Sequence, residues 1–490
     1  GIMNKSEIVV FIVYLVFMLG IGVYFFFKER GGGEKTFFLG DRKMGAWVGA
    51  LSAGASDMSA WVLMGLPTAV YAAGLGEVWI SVGLAIGYTL SWIFEAPRLR
   101  RFSVVAGDAI TIPQYLSNRF LASSKALQVI CALVFLVAYT VYTAASIKAC
   151  GILFHKVIGM DATLAMWIGT AIIVGYTFFG GFSAVCWTDF FQGLLILAAM
   201  LLAPLFAVFV LDSSTQVIET AGYWNPFADW RKIVSGLAWG LGYFGMPHII
   251  IRFMSLESQT SLKKSAKIGI SWTVLIVTFA ALIGIIGRLK LGLNEDIQTN
   301  ELVFIQMVRM IFPGVISGVL LSAVLAASMS TADSQLLAAS SALASDVYKP
   351  LVRKDKAGDS ELLWVGRVVV ILVAAVAMAI ASNPKAESIM GLVSNAWGVF
   401  GAAFGPAIML SLFWRRFNFT GAVVGIVVGA AVDIAWLFCC SKTTGIYELA
   451  PGFFAGLIAA IAAAKLSPLP SGKVMKLYDD AVSYTDAVGK

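Results

Sequence analysis

Leu51-Ser-Ala-Gly-Ala-Ser-Asp-Met-Ser-Ala-Trp61 places a carboxylate, Asp57, deep inside a run of apolar and small residues long enough to cross a bilayer. A charge at that depth costs roughly several kcal/mol, so Asp57 must face a cavity, a partner or an ion. The plainer reading is a structural hydrogen bond to a neighbouring helix. Gly54, Gly65 and Pro67 surround the acid. Such helix breakers predict a discontinuous helix whose freed backbone groups line a site near the bilayer midplane.

The same punctuation returns in Trp239-Gly-Leu-Gly-Tyr-Phe-Gly-Met-Pro247. Trp239, Tyr243 and Pro247 are spaced by four and would share one face of a regular helix. Gly240, Gly242 and Gly245 also fit G-x-G-x-x-G, but no strand precedes them and no βαβ unit surrounds them, which excludes a dinucleotide site. Membrane aromatics commonly sit in the interfacial belt. Glycines beside Trp239 and Tyr243 in mid-span favour instead an apolar wall of rings with polar contacts from opened backbone.

A third stretch, Ala326-Ala-Ser-Met-Ser-Thr-Ala-Asp-Ser334, brings Ser330, Thr331, Asp333 and Ser334 within about one helical turn. Small hydroxyl residues can serve only close helix packing. Oxygen ligands beside an intramembrane acid suit a hard cation, which is the reading adopted here.

The rest of the chain has the composition of a membrane protein. It has 490 residues, 59% hydrophobic and 13% charged, with a mean hydropathy of +0.86, against about 25% charged in a soluble domain. Hydropathy predicts thirteen spans, numbered zero to twelve, centred near residues 17, 57, 86, 139, 171, 200, 243, 279, 329, 372, 400, 429 and 456. Ile8 to Phe27 is too long for a signal-peptide core and lacks a small-residue cleavage site, so it reads as a retained span. Gly1 and Ile2 precede Met3, which reads as the natural start, and are set aside. Cys131, Cys150, Cys186, Cys439 and Cys440 have no metal-site spacing, and a disulfide framework is not expected.

With the N-terminus outside, the loops carry 24 Lys and Arg on the cytoplasmic side against 9 on the other, Lys148 and Arg367 lying within spans. That bias predicts N-terminus out and C-terminus in. It also explains the net charge of +7 without nucleic acid, because the basic residues sit in short loops as membrane anchors. Spans one to five and six to ten then enter from opposite sides, as in the inverted repeats of secondary transporters.

The expected organisation is one transporter domain over 1–490. It divides into an extra first helix and loop (3–43), a first five-helix repeat (44–212), a second with its preceding loop (213–416), two extra helices (417–466) and a cytoplasmic tail (467–490). About 25 residues follow the last span, too few for a kinase module. Neither H-E-x-x-H nor G-x-S-x-G occurs, so no enzyme and no catalytic residue is expected. Gly421, Gly425 and Gly429 read as a packing ridge. Lys148 is expected to pair with a carbonyl or carboxylate or to snorkel, and Arg367 lies within snorkelling reach of the interface. His155 and His248 suggest no metal motif.

Ser52 to Pro67, Trp239 to Pro247 with His248-Ile-Ile-Ile-Arg-Phe253, and Ser328-Met-Ser-Thr331 resemble the sodium/solute symporter family, in its proline-carrying branch. Gly180-Gly-Phe-Ser-Ala-Val-Cys-Trp-Thr-Asp189 and Gly391-Leu-Val-Ser-Asn-Ala-Trp397 extend the resemblance from the first span to the last. It implies a LeuT-like five-plus-five inverted repeat within an all-α bundle of thirteen transmembrane helices in the bacterial inner membrane. It places sodium between spans one and eight, on the carbonyls of Ala55, Met58 and Ala327 and the hydroxyls of Ser330 and Thr331, with Asp57 important to sodium dependence. Lithium is expected to substitute, since it too takes oxygen ligands. L-proline maps onto Ser59, Trp61, Gly65, Tyr142, Trp239, Tyr243 and Pro247. Asp189, Asp333 and Ser334 mark a second cation position, set against a structural or proton-binding role. A symporter of the same fold for another small amino acid or a carboxylate is the alternative. Partners beyond proline, sodium and the lipid bilayer are not expected.

Overall fold

A computed structural model describes residues 5–179, 181–212 and 220–486. Gly1, Ile2, Met3, Gly180 of the fifth-span motif and the 213–219 stretch that opens the expected second repeat lie outside them. Apolar runs become helices because a backbone in hydrocarbon must satisfy its own hydrogen bonds. The helices that position the site are α1 (Lys5–Lys28), α2 (Ala46–Asp57), α3 (Trp61–Ala73), α4 (Leu75–Val105), α5 (Ala126–Ile158), α6 (Ala162–Phe179), α7 (Phe182–Val210) and α8 (Trp230–Phe244). They continue with α9 (Pro247–Ser255), α10 (Gln259–Leu291), α11 (Gly314–Val352), α12 (Asp359–Ala381), α13 (Ile389–Phe413), α14 (Phe419–Cys439), α15 (Leu449–Leu466) and α16 (Gly472–Ser483).

Ten helices among the described residues are long and apolar enough to cross a membrane, or eleven if α8 and α9, bent by 43°, count as one span. α3 and α6 are apolar but shorter. Span one, centred near residue 57, is thus not one long helix: it stops at Asp57 and resumes at Trp61.

α2 is enclosed by α7, α9, α10 and α11, so its residues from Val48 to Asp57 are all buried. α5 is flanked by α6, α11, α12 and α13, while α14 and α15 pack as a pair on α13. α1 lies outermost, on α6, α7 and α11, and leaves Val9, Ile12, Val13, Val16 and Phe17 exposed. The Gly421–Gly425–Gly429 ridge packs as expected, with Gly421 and Gly425 on Ala460 and Gly429 on the Ala402 carbonyl. All five cysteines are free.

Buried arginines close one end of the bundle. Arg42 donates to the carbonyls of Met254 (2.7 Å) and Ala109 (2.6 Å), Arg100 to those of Leu256 (2.9 Å) and Glu257 (3.0 Å), and Arg119 to that of Ser411 (2.8 Å). These residues, expected as interface anchors, also satisfy carbonyls left over at helix ends. Lys148 reaches the Glu387 carbonyl at 2.6 Å, and Arg367 the Phe178 carbonyl at 3.0 Å.

α4 and α8 cross on two matching motifs, Gly83-Leu-Ala-Ile-Gly87 and Gly236-Leu-Ala-Trp-Gly240. A Cβ on Gly83 would stand 2.2 Å from the Gly236 carbonyl, one on Gly87 2.2 Å from the Gly240 carbonyl, and one on Gly240 2.2 Å from the Gly83 carbonyl. Small residues spaced by four let the two backbones touch, the membrane's substitute for a hydrophobic drive to pack. Gly83→Leu or Gly236→Leu is therefore expected to cost ~1–3 kcal/mol and lower the melting temperature of the purified protein in detergent. Gly175→Leu, whose added side chain would meet nothing within 4 Å at its Cβ, serves as the control. Equal melting temperatures for all three would refute the crossing.

Candidate functional site

The break between α2 and α3 is local. The Met58 amide still bonds the Gly54 carbonyl at 2.9 Å, but at φ −80° and ψ 77° Met58 turns its own carbonyl off the helical ladder. Ser59 then donates its amide to the Asp57 carbonyl at 2.9 Å, and the Trp61 indole donates to the same oxygen at 3.3 Å. Across from this break, the Ser330 hydroxyl of α11 lies 2.8 Å from the Ala55 carbonyl and 3.2 Å from that of Ala327. The hydroxyl of the adjacent Thr331 is buried without a hydrogen-bond partner. Three oxygens therefore meet at one point, with a fourth, unused one on the next residue. Such an oxygen set fits a hard monovalent cation.

Asp57 turns toward α8. One carboxylate oxygen accepts from the Tyr243 hydroxyl, and the other is buried with no partner. The acid thus links the break to the aromatic segment of α8.

That segment, Gly240–Phe244, is a 3₁₀ turn, and the chain bends at Gly245 and Met246 before α9 begins. Trp239 is enclosed by Trp61 (centroids 5.9 Å), Trp397 (5.9 Å) and Tyr447 (5.1 Å). The Trp397 indole donates to the Trp239 carbonyl at 2.8 Å and lies where a Cβ on Gly242 would stand, 2.1 Å from Nε1. Tyr243 is held between Tyr88 (5.0 Å) and Trp397 (5.1 Å). Tyr142 packs its ring on His248 at 5.8 Å, and its hydroxyl lies beside Ser59 and Trp61 with no hydrogen-bond partner. Ser59, Trp61, Tyr142, Trp239 and Tyr243 therefore surround the break.

Two other expected substrate positions lie apart. Gly65 is further along α3, where its Cβ direction meets Glu301 and Met390 at 3.2 Å. Pro247 would share a face with Trp239 and Tyr243 only in a regular helix, and the 43° bend removes it. It lines a cavity of about 20 Å³ with Phe182, Arg252 and Ser334.

The oxygen-bearing turn of α11 divides between two centres. Ser330 faces α2, whereas Ser334 and Asp333 face α7 and α9. Arg252 of α9 donates to Asp189 at 3.1 Å, to the Ser334 hydroxyl at 2.7 Å, to the Ser52 hydroxyl at 3.1 Å and to the His248 carbonyl at 2.5 Å. Ser52 also donates to Asp189 at 3.0 Å. One oxygen each of Asp189 and Asp333 is buried without a partner. The two centres are joined because the Ser334 hydroxyl lies 2.7 Å from the Ser330 carbonyl.

Arg252 is the residue that reading the sequence misplaces. A basic residue at the end of a span reads as a loop anchor, yet its side chain is only 1% exposed. Its signal was a place within the His248 to Phe253 motif. Trp397 likewise closes a quoted motif, but Tyr88, inside an apolar span, and Tyr447, in the loop before α15, belong to no motif that marks them. Among the described residues no cluster of three or more His, Cys, Asp or Glu could hold a metal, and His155 bonds the Met160 carbonyl.

Known proteins share both sequence and fold. An osmoregulated proline transporter of Bacillus subtilis is 40% identical, covering 95% of this chain and 96% of its own. A high-affinity proline transporter of the same organism is 42% identical over 94% and 98%. The sodium/proline symporter of Escherichia coli is 40% identical over 98% and 96%. Among solved structures, a substrate-bound, outward-open sodium-coupled sialic acid symporter superposes with a TM-score of 0.77 at 21% identity, covering 96% of this chain and 99% of that one. The sequence pattern of the sodium:solute symporter family matches residues 37–429. With that match, and relatives at about 40% identity along almost the whole chain, this protein belongs to the sodium:solute symporter family, a family of transporters and not of enzymes.

Proposed function

We propose that this protein imports L-proline together with sodium across the bacterial inner membrane by alternating access. The carrying observation is that the α2–α3 break touches both machineries, α11 through Ala55 and Ser330 and α8 through Asp57 and Tyr243. The relatives named as proline transporters supply the substrate. A sodium ion takes the carbonyls of Ala55, Met58 and Ala327 and the hydroxyls of Ser330 and Thr331. The Ser330 hydrogen bonds hold these oxygens close, so little rearrangement is needed to turn their lone pairs onto an ion. Binding orders the break, and Asp57 passes that order to Tyr243. Proline then meets a prepared site, and by linkage it raises sodium affinity equally. Its carboxylate is met by groups the break frees and by the hydroxyls of Ser59 and Tyr142, while Tyr142, Trp61 and Trp239 enclose the ring. Gly65 and Pro247, assigned to proline by the resemblance alone, stand apart from this group.

The bundle is read as thirteen spans, with α2–α3, α6 and the bent α8–α9 each counted as one, in two inverted five-helix repeats. A break in the first helix of each repeat supports this. The N-terminus is outside and the C-terminus cytoplasmic. Contacts support the grouping of the loops onto one side, because Lys35 and Arg42 pair with Asp108, Arg100 with Asp486, Lys349 with Glu34, and Arg415 with Asp479; the Lys and Arg excess on that side supports its being cytoplasmic.

In proteoliposomes an inward sodium gradient is expected to drive proline accumulation, lithium to replace sodium, and potassium to fail. Equal accumulation from a proton gradient alone, in sodium-free buffer, would remove the ion assignment. Labelled alanine or a labelled small carboxylate taken up in place of proline would instead establish the alternative substrate.

Tyr142→Ala and Trp239→Ala each remove a buried ring and are expected to weaken proline binding at saturating sodium by about 1–3 kcal/mol. Calorimetry on the purified variants reads this directly. Unchanged proline affinity in both places the substrate elsewhere.

Around Asp189, Asp333 and Ser334 the Arg252 guanidinium already supplies a cation, so a single coupling sodium is the reading carried forward. Proline is a zwitterion, and transport should therefore move one positive charge per proline, in the parent and in Asp333→Asn. A parent ratio of two that falls to one in the variant establishes a second transported sodium at this cluster.

A further inference from the structure

The outermost helix forms one wall of a groove that transport does not use. Phe17, Gly20, Ile21 and Tyr24 of α1 face Trp187 and Phe191 of α7 across an apolar cavity of about 500 Å³. At the end of α1 a second cavity of about 480 Å³ is lined by Lys28, Glu29, Arg30, Thr36, Asp41 and Lys43. Phe25, Lys28 and Trp187 border both, so the two are continuous. From Phe17 to Lys28 a helix rises about 16 Å, close to the ~15 Å depth of one leaflet's hydrocarbon.

The polar end is cationic and uncommitted. Among the described residues, Lys28, Arg30 and Lys43 form no ion pair, while Lys35 nearby is taken by Asp108. Lys28 lies over the rings of Tyr24 (5.6 Å) and Phe25 (5.7 Å), and Arg30 over that of Phe27 (5.9 Å). The two acids present leave a net positive pocket, and Asp41 already accepts from Thr36 at 2.8 Å.

We propose that this composite groove binds one anionic phospholipid, with an acyl chain between α1 and α7 and its phosphate on Lys28, Arg30 and Lys43. Basic pockets between helices at the cytoplasmic face are suited to anionic headgroups. A choline headgroup would bring a fourth cation against the three already there, which selects phosphatidylglycerol over phosphatidylcholine. The pocket also includes Met44 and Gly45, immediately before α2, and Met44 exchanges backbone hydrogen bonds with Ser255 and Glu257 at the end of α9. A bound lipid therefore braces the joint from which the broken helix α2 starts.

The test uses the purified full-length protein with phosphatidylglycerol or phosphatidylcholine of identical chains, read by native mass spectrometry and by melting temperature. The parent is expected to retain phosphatidylglycerol preferentially and to melt higher with it, while excess inorganic phosphate has no effect. Replacing Lys28, Arg30 and Lys43 by Gln should weaken retention roughly fivefold per cation removed. Gly20→Trp, at a position whose Cβ direction meets nothing within 4 Å, should fill the groove and lower retention with all three cations in place. If the triple variant does not fold, Arg30→Gln and Gly20→Trp decide. Equal retention of the two lipids, parent-like retention in the variants, or the same stabilisation by inorganic phosphate would each overturn the proposal.

Discussion

A helix that stops inside an apolar bundle releases carbonyls and amides where water is scarce, and the structure is organised around the consequences. At the break the Ala55 carbonyl faces α11, and the Ser330 hydroxyl closes on it and on the Ala327 carbonyl of its own helix. An unpaired buried backbone group costs about as much as a lost hydrogen bond. The break therefore persists only because α7, α9, α10 and α11 enclose it. A small cation that replaces a hydrogen bond at such a place can reorganise a helix with little movement elsewhere.

The second consequence is geometric. The carboxylate at the break binds Tyr243, and Tyr243 is set by a 3₁₀ turn whose approach to α4 depends on glycines at 83, 87, 236 and 240. Trp239 lies between two of those glycines in sequence, so the helix crossing places the indole among Trp61, Trp397 and Tyr447. Packing and recognition are one feature here. The rings that enclose a substrate also fill the space between α3, α8 and α13.

Charge is handled locally. Asp189 and Arg252 are fully buried together, and both carboxylate and guanidinium draw on Ser52. A buried ion pair is weak support for stability, since desolvation offsets most of the attraction. What the geometry shows is a link: through Ser52, Asp189, Arg252 and Ser334 one hydrogen-bonded set joins α2, α7, α9 and α11. Asp333 adds a carboxylate beside this set and accepts from the Ser334 hydroxyl at 3.3 Å. The cluster sits next to the Ser330 centre without merging with it.

Membrane residence, helical class and the location of the breaks were legible in the amino-acid sequence, because hydropathy and glycine or proline punctuation are local and need no knowledge of neighbours. Asp57, Ser330, Thr331, Trp239 and Tyr243 stood out as candidates in the same way, since an acid or a row of hydroxyls in hydrocarbon is costly wherever it points. Direction was not legible. A spacing of four put Pro247 with Trp239 and Tyr243 until the bend separated them, and the same rule made one face of Ser330 and Ser334, which serve different neighbours. Arg252 looked like a loop anchor because sequence records a charge but not what surrounds it. Sequence alone determined which residues could not rest quietly in a membrane; tertiary structure decided which of them face one another, because partners such as Ser330 and Ala55 lie 275 residues apart and only the packing of whole helices brings them together.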